Sequence, residues 1–355
     1  MMEGESVMQG DESRSGERGY VDESASRRLA PPLDRPPPLR EKPLVCVQQL
    51  SRMFDQVHAV KGASFEIHPG QVVGFIGANG AGKTTTMRLM ATLDYPTAGQ
   101  ISIGGYDVVQ QPEEVRRLVG WMPDSYGTYD NMTVREYLDF FGRAYGLKRS
   151  ERLSRLEEVM EFADLTTLAD RPMGKLSKGM GQRLCFGRML MHDPEFLIMD
   201  EPAAGLDPKA RLEFKNLVRI LKQRGKTQFI SSHILSELGE MCDTLLFIDA
   251  GKVVYHGAAD TLKRGEAGAH TIIHIRVAGD ASALVQWSAV NPGWTLIGET
   301  QRGARLRFDS DDETQIASSL KRMILDGIPI IEFHREERRL EDAFVDMLKK
   351  TNSGA

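Results

Sequence analysis

The chain has 355 residues, 41% hydrophobic and 27% charged, with 45 basic against 50 acidic residues for a net charge of -5. That composition excludes wholesale disorder, a collagen-like repeat and a disulfide scaffold, and the charge gives no general attraction to nucleic acid or to an anionic membrane surface. At roughly 100 to 200 residues per domain, the length predicts two domains, or one large domain with appendages.

Residues 1–43 are rich in proline and alternating charge and hold one aromatic, Tyr20. Such a stretch buries too little apolar surface to offset ordering entropy, so it reads as a disordered tail. It also lacks the unbroken apolar run of a secretory signal. From Leu44 the pattern changes to short apolar runs. Val72-Val73-Gly74-Phe75-Ile76, Phe196-Leu197-Ile198-Met199 and Gln228-Phe229-Ile230 are continuous enough for strands of a parallel sheet covered on both faces. Between them, from about Thr133 to Leu176, Tyr137, Leu138, Phe140, Phe141, Leu153, Leu156, Val159, Met160 and Phe162 recur at helical spacing, which predicts an inserted helical subdomain.

After Gly265 the predicted order is strand Thr271–Val277, helix Ala281–Val290, strands Trp294–Ile297 and Ala304–Phe308, helix Glu313–Leu325, strand Pro329–Phe333 and a last helix, Arg339–Lys350. This is the β-α-β-β-α-β order of a small ferredoxin-like unit. The last helix carries Leu340, Ala343, Phe344 and Met347 on one face, expected to lie against the small sheet. The longest uncharged stretch, Ala281–Gly298, is broken by Gln286, Asn291, Pro292 and Gly293, so no transmembrane helix is expected. Cys46, Cys185 and Cys242 are odd in number and lack metal-ligand spacing, which predicts a reducing, cytosolic setting.

The sharpest chemical signal is Gly77-Ala78-Asn79-Gly80-Ala81-Gly82-Lys83-Thr84, placed after a buried strand and before the helical Thr85-Thr86-Met87. Strand, loop and helix occur in the order of a P-loop. Its glycines let backbone N–H groups surround phosphate oxygens, Lys83 reaches the outer phosphates, and the Thr84 hydroxyl is placed to ligate Mg²⁺. A nucleotide triphosphate is therefore the expected ligand. Hydrolysis also needs a metal-holding carboxylate and a group that activates water. Asp200 and Glu201, at the end of the apolar Phe196–Met199 run, supply them as metal ligand and general base.

Leu176-Ser177-Lys178-Gly179-Met180, followed by Gln182-Arg183, resembles the signature sequence of ABC ATPases. Ala204-Gly205-Leu206-Asp207-Pro208 resembles that family's D-loop, and His233 falls where its switch histidine belongs. The resemblance covers about Leu44 to Gly257 and is closest to ATP-binding subunits of exporters whose permease is a separate chain, those moving drugs, polymers or lipids. It implies an α/β P-loop ABC core at 44–266 with a helical subdomain at about 122–178, and the pattern after Gly265 adds an α+β ferredoxin-like accessory domain at 267–355. The resemblance also implies a homodimer that closes head to tail over ATP and Mg²⁺, peripheral on the inner face of the cell membrane against its transmembrane permease, with no nucleic acid partner. Carried over residue by residue, Ser177 and Gly179 contact the partner's γ-phosphate, His233 contacts it from the Lys83 side, and Asp207 links the two sites.

Phe54 resembles the aromatic that stacks on adenine, with a core phenylalanine as the competing reading. Asp124 stands where the family has Gln or Glu, and its shorter side chain predicts a contact to Mg²⁺ or the attacking water through an extra water. Lys178 replaces a common Gly, either as a cation beside the partner's triphosphate or as a solvated lysine. Trp121, Tyr126 and Tyr129 lie where a permease helix docks in the family, and packing within the helical subdomain explains them equally well. A soluble ABC ATPase acting on DNA or ribosomes is the alternative function. It is disfavoured by the single P-loop and by the absence of sustained heptads and Cys pairs.

Overall fold

The computed structural model describes residues 42–125, 127, 129, 131–264, 270–336 and 344. Nearly all of the expected tail, Tyr126 and all of the expected last helix except Phe344 lie outside them. The described chain opens with β1 (Val45–Phe54), β2 (Val57–Ile67), β3 (Val72–Ile76), α1 (Lys83–Met90), β4 (Ala98–Ile103), β5 (Tyr106–Asp107), α2 (Pro112–Leu118) and β6 (Val119–Met122). The helices α3 (Val134–Ala144), α4 (Arg149–Phe162) and α5 (Lys178–Leu190) follow. The chain then re-enters the sheet with β7 (Phe196–Met199), α6 (Pro208–Gln223), β8 (Thr227–Ser232), α7 (Leu235–Met241), β9 (Thr244–Asp249), β10 (Lys252–Ala258) and α8 (Ala259–Arg264).

These strands form two sheets. An antiparallel one runs β2-β1-β4-β5, and a six-stranded one runs β10-β9-β3-β8-β7-β6, parallel except for β10. Because side chains alternate along a strand, each central strand feeds two cores. Leu197, Met199, Ile230, Leu245 and Phe247 enter the core shared with the helices, while Phe196, Ile198, Phe229, Leu246 and Ile248 enter the core shared with the antiparallel sheet. This two-sided burial explains why β3 and β7 read as unbroken apolar runs, every residue of both being buried.

In the helical insertion, α3 starts at a capping box: the Thr133 hydroxyl accepts from the Glu136 N–H, and Glu136 Oε2 accepts from the Thr133 N–H at 2.9 Å. Tyr137, Leu138, Leu156, Val159 and Met160 are buried as their spacing predicts. Phe140 and Leu153 instead face solvent, 48% and 46% exposed. Each sits beside a core position, where helical spacing alone leaves the facing ambiguous.

The last described unit is β11 (Thr271–Val277), α9 (Ser282–Val290), β12 (Trp294–Thr300), β13 (Gly303–Phe308), α10 (Glu313–Leu325) and β14 (Ile330–Arg335), an antiparallel sheet in the order β12-β13-β11-β14. That order, with two crossover helices, is the ferredoxin-like topology. It has its own core, in which Leu284 and Trp287 of α9 and Met323 of α10 meet Ile273, Ile275 and Leu306 of the sheet.

Phe344 corrects one expectation. It stacks on Phe247 of β9, ring centroids 4.8 Å apart and 19° between planes, and packs on the helical-side core of the six-stranded sheet, away from the small sheet. Residues of α9 and α10 already fill the buried face of that small sheet, whereas Phe247 and Tyr255 offer an aromatic surface at the edge of the larger core. Phe344→Ala is expected to lower stability by about 1–2 kcal/mol, the aromatic pair plus part of a side chain's burial. The check is a urea titration. A reduced midpoint at unchanged slope is predicted, and an unchanged midpoint contradicts the packing.

Candidate functional site

Three neighbouring strands, β3, β8 and β7, end side by side, and the loops that leave their C-terminal ends carry the chemical groups. After β3 the loop 77–82 turns into α1. A Cβ on Gly77 would lie 2.5 Å from the Ile248 carbonyl, and one on Gly82, at φ +109, 2.5 Å from the Ala59 carbonyl, so only glycine fits where the loop meets β9 and β2. The Gly251 N–H donates to the Ala81 carbonyl at 3.0 Å and holds the loop from behind. Asn79 and Gly80 are exposed at its tip, and Thr85 is half-buried in the first turn of α1.

No side chain caps α1 and its first turn holds no acid, so its free N–H groups and positive end face the loop's mouth. Lys83, only 6% exposed, curls over the loop and donates from Nζ to the Gly77 carbonyl at 2.8 Å and to the Ala78 carbonyl at 3.4 Å. Those donors and that ammonium fit an anion of phosphate type.

At the end of β7, Asp200 is buried, 1% exposed, and both its oxygens are engaged. The Thr84 hydroxyl donates to Oδ2 at 2.7 Å and the Ser231 hydroxyl to Oδ1 at 2.6 Å. Burial pushes the Asp200 carboxyl above the usual carboxylate range, and the negative charges of Asp124 and Glu201 push the same way, against the lowering effect of the two hydroxyls. A divalent cation beside Thr84 and Asp200 would relieve that crowding, so these residues fit Mg²⁺. No group of three metal-ligating side chains occurs among the described residues, and Mg²⁺ at a nucleotide site needs only one or two, since phosphates and water complete its shell.

Glu201 adopts a left-handed backbone, φ +48, uncommon outside glycine. Its N–H donates to Ser231 Oγ at 2.7 Å, which pins that turn. The side chain then lies between two cations or donors: Oε1 is 3.5 Å from Lys83 Nζ, and Oε2 accepts from His233 Nδ1 at 2.8 Å. His233 is 53% exposed, so the far side of its ring is open to solvent. Ser231 thus holds the Asp200 carboxylate by its proton and the Glu201 backbone by its oxygen. Sequence reasoning missed it, although a pair of serines closing the buried strand β8 was a usable signal.

The remaining predicted residues stand apart from this network. Asp124 is exposed just beyond β6, the strand beside β7. Phe54 is 41% exposed with the Arg52 guanidinium 4.3 Å over its ring, which removes the reading of a core phenylalanine. Ser177 caps α5, accepting from the Met180 N–H at 3.4 Å, and Asp207 caps α6, accepting from the Ala210 N–H at 2.8 Å. Gly179 lies against Leu206, and Lys178 Nζ sits 2.4 Å from where a Gly205 Cβ would be, so the two segments pack on each other. Lys178 thus folds over Gly205 while remaining exposed. Among the described residues no hydrogen bond joins Ser177, Gly179 or Asp207 to Lys83, Asp200 or Glu201.

A family model described as ABC transporter matches residues 60–204. The linearmycin resistance ATP-binding protein LnrL of Bacillus subtilis is 31% identical over 307 residues, covering 86% of this chain and 98% of LnrL. The chain belongs to the ABC transporter ATP-binding family. It is an ATPase. The Nod factor export ATP-binding protein I of Burkholderia thailandensis is 38% identical over 225 residues, 63% of this chain and 74% of that protein. In fold, the cassette matches the dimeric post-hydrolysis MJ0796 cassette bound to ADP and Pi with a TM-score of 0.56, at 23% identity, over 61% of this chain and 98% of that one. No helix among the described residues is long and apolar enough to cross a membrane.

Ser231→Ala would leave Asp200 Oδ1 and the Glu201 N–H without their partner. A stability loss of about 1–3 kcal/mol is expected, the cost of buried polar groups left unsatisfied. ATP turnover should fall at least about tenfold as Glu201 loses its fixed position. Turnover at the wild-type rate in this variant contradicts the bridging role.

Proposed function

We propose that this chain is the ATP-hydrolysing subunit of an exporter, in which ATP closes two cassettes head to tail and hydrolysis reopens them against a separately encoded transmembrane permease. The observation that carries the reading is the junction of Lys83, Glu201 and His233 beside the Thr84–Asp200 pair, with the signature segment on a different part of the cassette. A site with its base in place and a signature segment that does not bond to it within one protomer is the arrangement a second copy completes.

In this reading Gly77, Asn79, Gly80, Ala81, Gly82, Lys83, Thr84 and Thr85 hold the phosphates through backbone N–H groups, the ammonium and the hydroxyls. Thr84 and Asp200, with Asp124 nearby, would hold Mg²⁺, which would neutralise charge on the phosphates. Glu201 takes the proton of the attacking water, and His233, bonded to Glu201, orients it and reaches toward the γ-phosphate. Ser177 and Gly179, at the start of α5, meet the partner's γ-phosphate. Asp207 leaves or keeps its cap on α6 as the cassettes part or close, and Phe54 receives the adenine ring on the face that Arg52 leaves free.

The domain division proposed with it is a cassette at 44–266 and an accessory domain at 267–355. The functions named for two relatives, Nod factor export and linearmycin resistance, support outward transport. The resulting location is the inner face of the cell membrane, with no role for nucleic acid.

The test is a pull-down of the full-length Glu201→Gln protein, with ATP, from detergent-solubilised membranes of its own cell. Co-purification of a polytopic membrane protein, lost when ATP is withheld or Lys83 is changed to Ala, is the predicted result. Ribosomes or DNA-bound proteins in its place, with no membrane protein, would overturn the transport assignment.

A further inference from the structure

The strand that leads into Asp124 has an unusual edge. β6 closes one side of the six-stranded sheet, so only one of its edges is paired with a strand. Toward β7 and its flanks, the Leu118 carbonyl accepts from the Glu195 N–H at 2.9 Å and the Met122 carbonyl from the Asp200 N–H at 2.8 Å. Carbonyls alternate in direction along a strand, so those of Val119 and Trp121 face the open edge. Side chains take them there. His192 Nε2 donates to the Val119 carbonyl at 3.0 Å, and Arg188 Nη2 donates to the Trp121 carbonyl at 3.2 Å. Arg188 belongs to α5, the helix that Ser177 caps, and His192 follows shortly after it.

Arg188 has a second grip. Its Nη1 donates to the Tyr137 hydroxyl of α3 at 3.1 Å, and its guanidinium lies 5.2 Å from the centre of the Phe141 ring. Among the described residues no carboxylate pairs with it. Burial disfavours its charge, but the Cys185 thiol and Tyr137 phenol beside it outweigh that and raise its pKa. Tyr137 itself is pushed up to about 12 by burial and stays neutral. A part-buried cation held only by neutral oxygens and a ring is poor as a stabilising device, since an apolar side chain would fill the same space without desolvating a charge. Its planar fork, in contrast, suits a group that must hold two separate acceptors at a fixed distance.

We infer that Arg188 is a positioning residue for ATP hydrolysis, tying the helical subdomain that carries the signature segment to the strand that carries Asp124. The inference rests on the role given above to Asp124. A movement of α3 and α5, as a partner cassette or permease engages them, pulls on the Trp121 carbonyl. Three residues later Asp124 moves relative to Asp200, which β6 and β7 hold together through the Met122 carbonyl. Arg188 touches no substrate and acts only through Asp124.

A double-mutant cycle on the full-length protein tests this, with steady-state ATPase kcat and KM and, separately, nucleotide affinity. Arg188→Lys keeps the charge but not the fork. It is expected to lower kcat about tenfold with less than about a twofold change in nucleotide affinity, because the P-loop is untouched. Asp124→Asn should also lower kcat, and adding Arg188→Lys to it should cost no more than about a further twofold, since the residue through which Arg188 acts is already impaired. Tyr137→Phe, which removes only the hydroxyl that steadies the fork, should lower kcat in the same direction and likewise lose its effect in the Asp124→Asn background. It serves as the reporter if Arg188→Lys does not fold. Loss of the full tenfold in the Asp124→Asn background overturns the tie while leaving the ATPase reading intact. Wild-type turnover in Asp124→Asn alone overturns both the tie and the role of Asp124.

Discussion

Two carboxylates, Asp200 and Glu201, meet at one corner of this molecule within the field of a third, Asp124, and among the described residues Lys83 is the ammonium that reaches them. Asp200 is buried at the end of β7 with the charges of Glu201 and Asp124 acting on it, and Lys83 approaches Glu201 at 3.5 Å. Left to Coulomb's law such a corner would protonate or spread apart. Thr84 and Ser231 keep it assembled by donating to Asp200, and Ser231 at the same time accepts from the Glu201 backbone. The arrangement is poised for added positive charge from a divalent ion and for an anion beside Lys83, which Mg²⁺ with ATP would supply.

The sheet makes this corner possible. In a parallel sheet, loops leaving the C-terminal ends of adjacent strands converge, and ligands bind there. Here β3 delivers the P-loop, β7 the carboxylates and β8 Ser231 and His233, in the spatial order β3-β8-β7. Strands buried on both faces cannot shift without disturbing two cores, so the register that aligns Phe75 with Ser231 and Met199 with Ile230 is firmly held. The parts that would move in the proposed transport cycle, the helical insertion and the segments 176–180 and 204–208, lie outside that centre.

Much of this was legible in the sequence because each motif is local. A P-loop needs glycine at fixed positions for steric reasons, and the 2.5 Å approaches at Gly77 and Gly82 are those reasons made visible. The Asp200-Glu201 pair follows an apolar run that could only be a buried strand, and the ferredoxin-like order emerged from alternating patterns alone. What escaped depends on contacts between distant segments. Ser231 is one serine among many until β7 and β8 lie side by side. Phe344 had a helical apolar face that pointed inward, but only the folded chain shows that Phe247, rather than the small sheet, receives it. Phe140 and Leu153 show the limit of periodicity at the margin of an apolar stripe. The exposure of Phe54 depends on its place at the β1–β2 hairpin end, opposite Val57 and past the last pairing of β1 with β4, which no pattern encodes.

The central claim is that the carboxylate held between Lys83 and His233 activates the water that attacks ATP. It is tested most directly by measuring ATP binding and phosphate release by Glu201→Gln beside the wild-type protein. Binding within about twofold of wild type, with phosphate release reduced by at least about a hundredfold, is the predicted result. Phosphate release at the wild-type rate, with Mg²⁺ and ATP saturating, would contradict it.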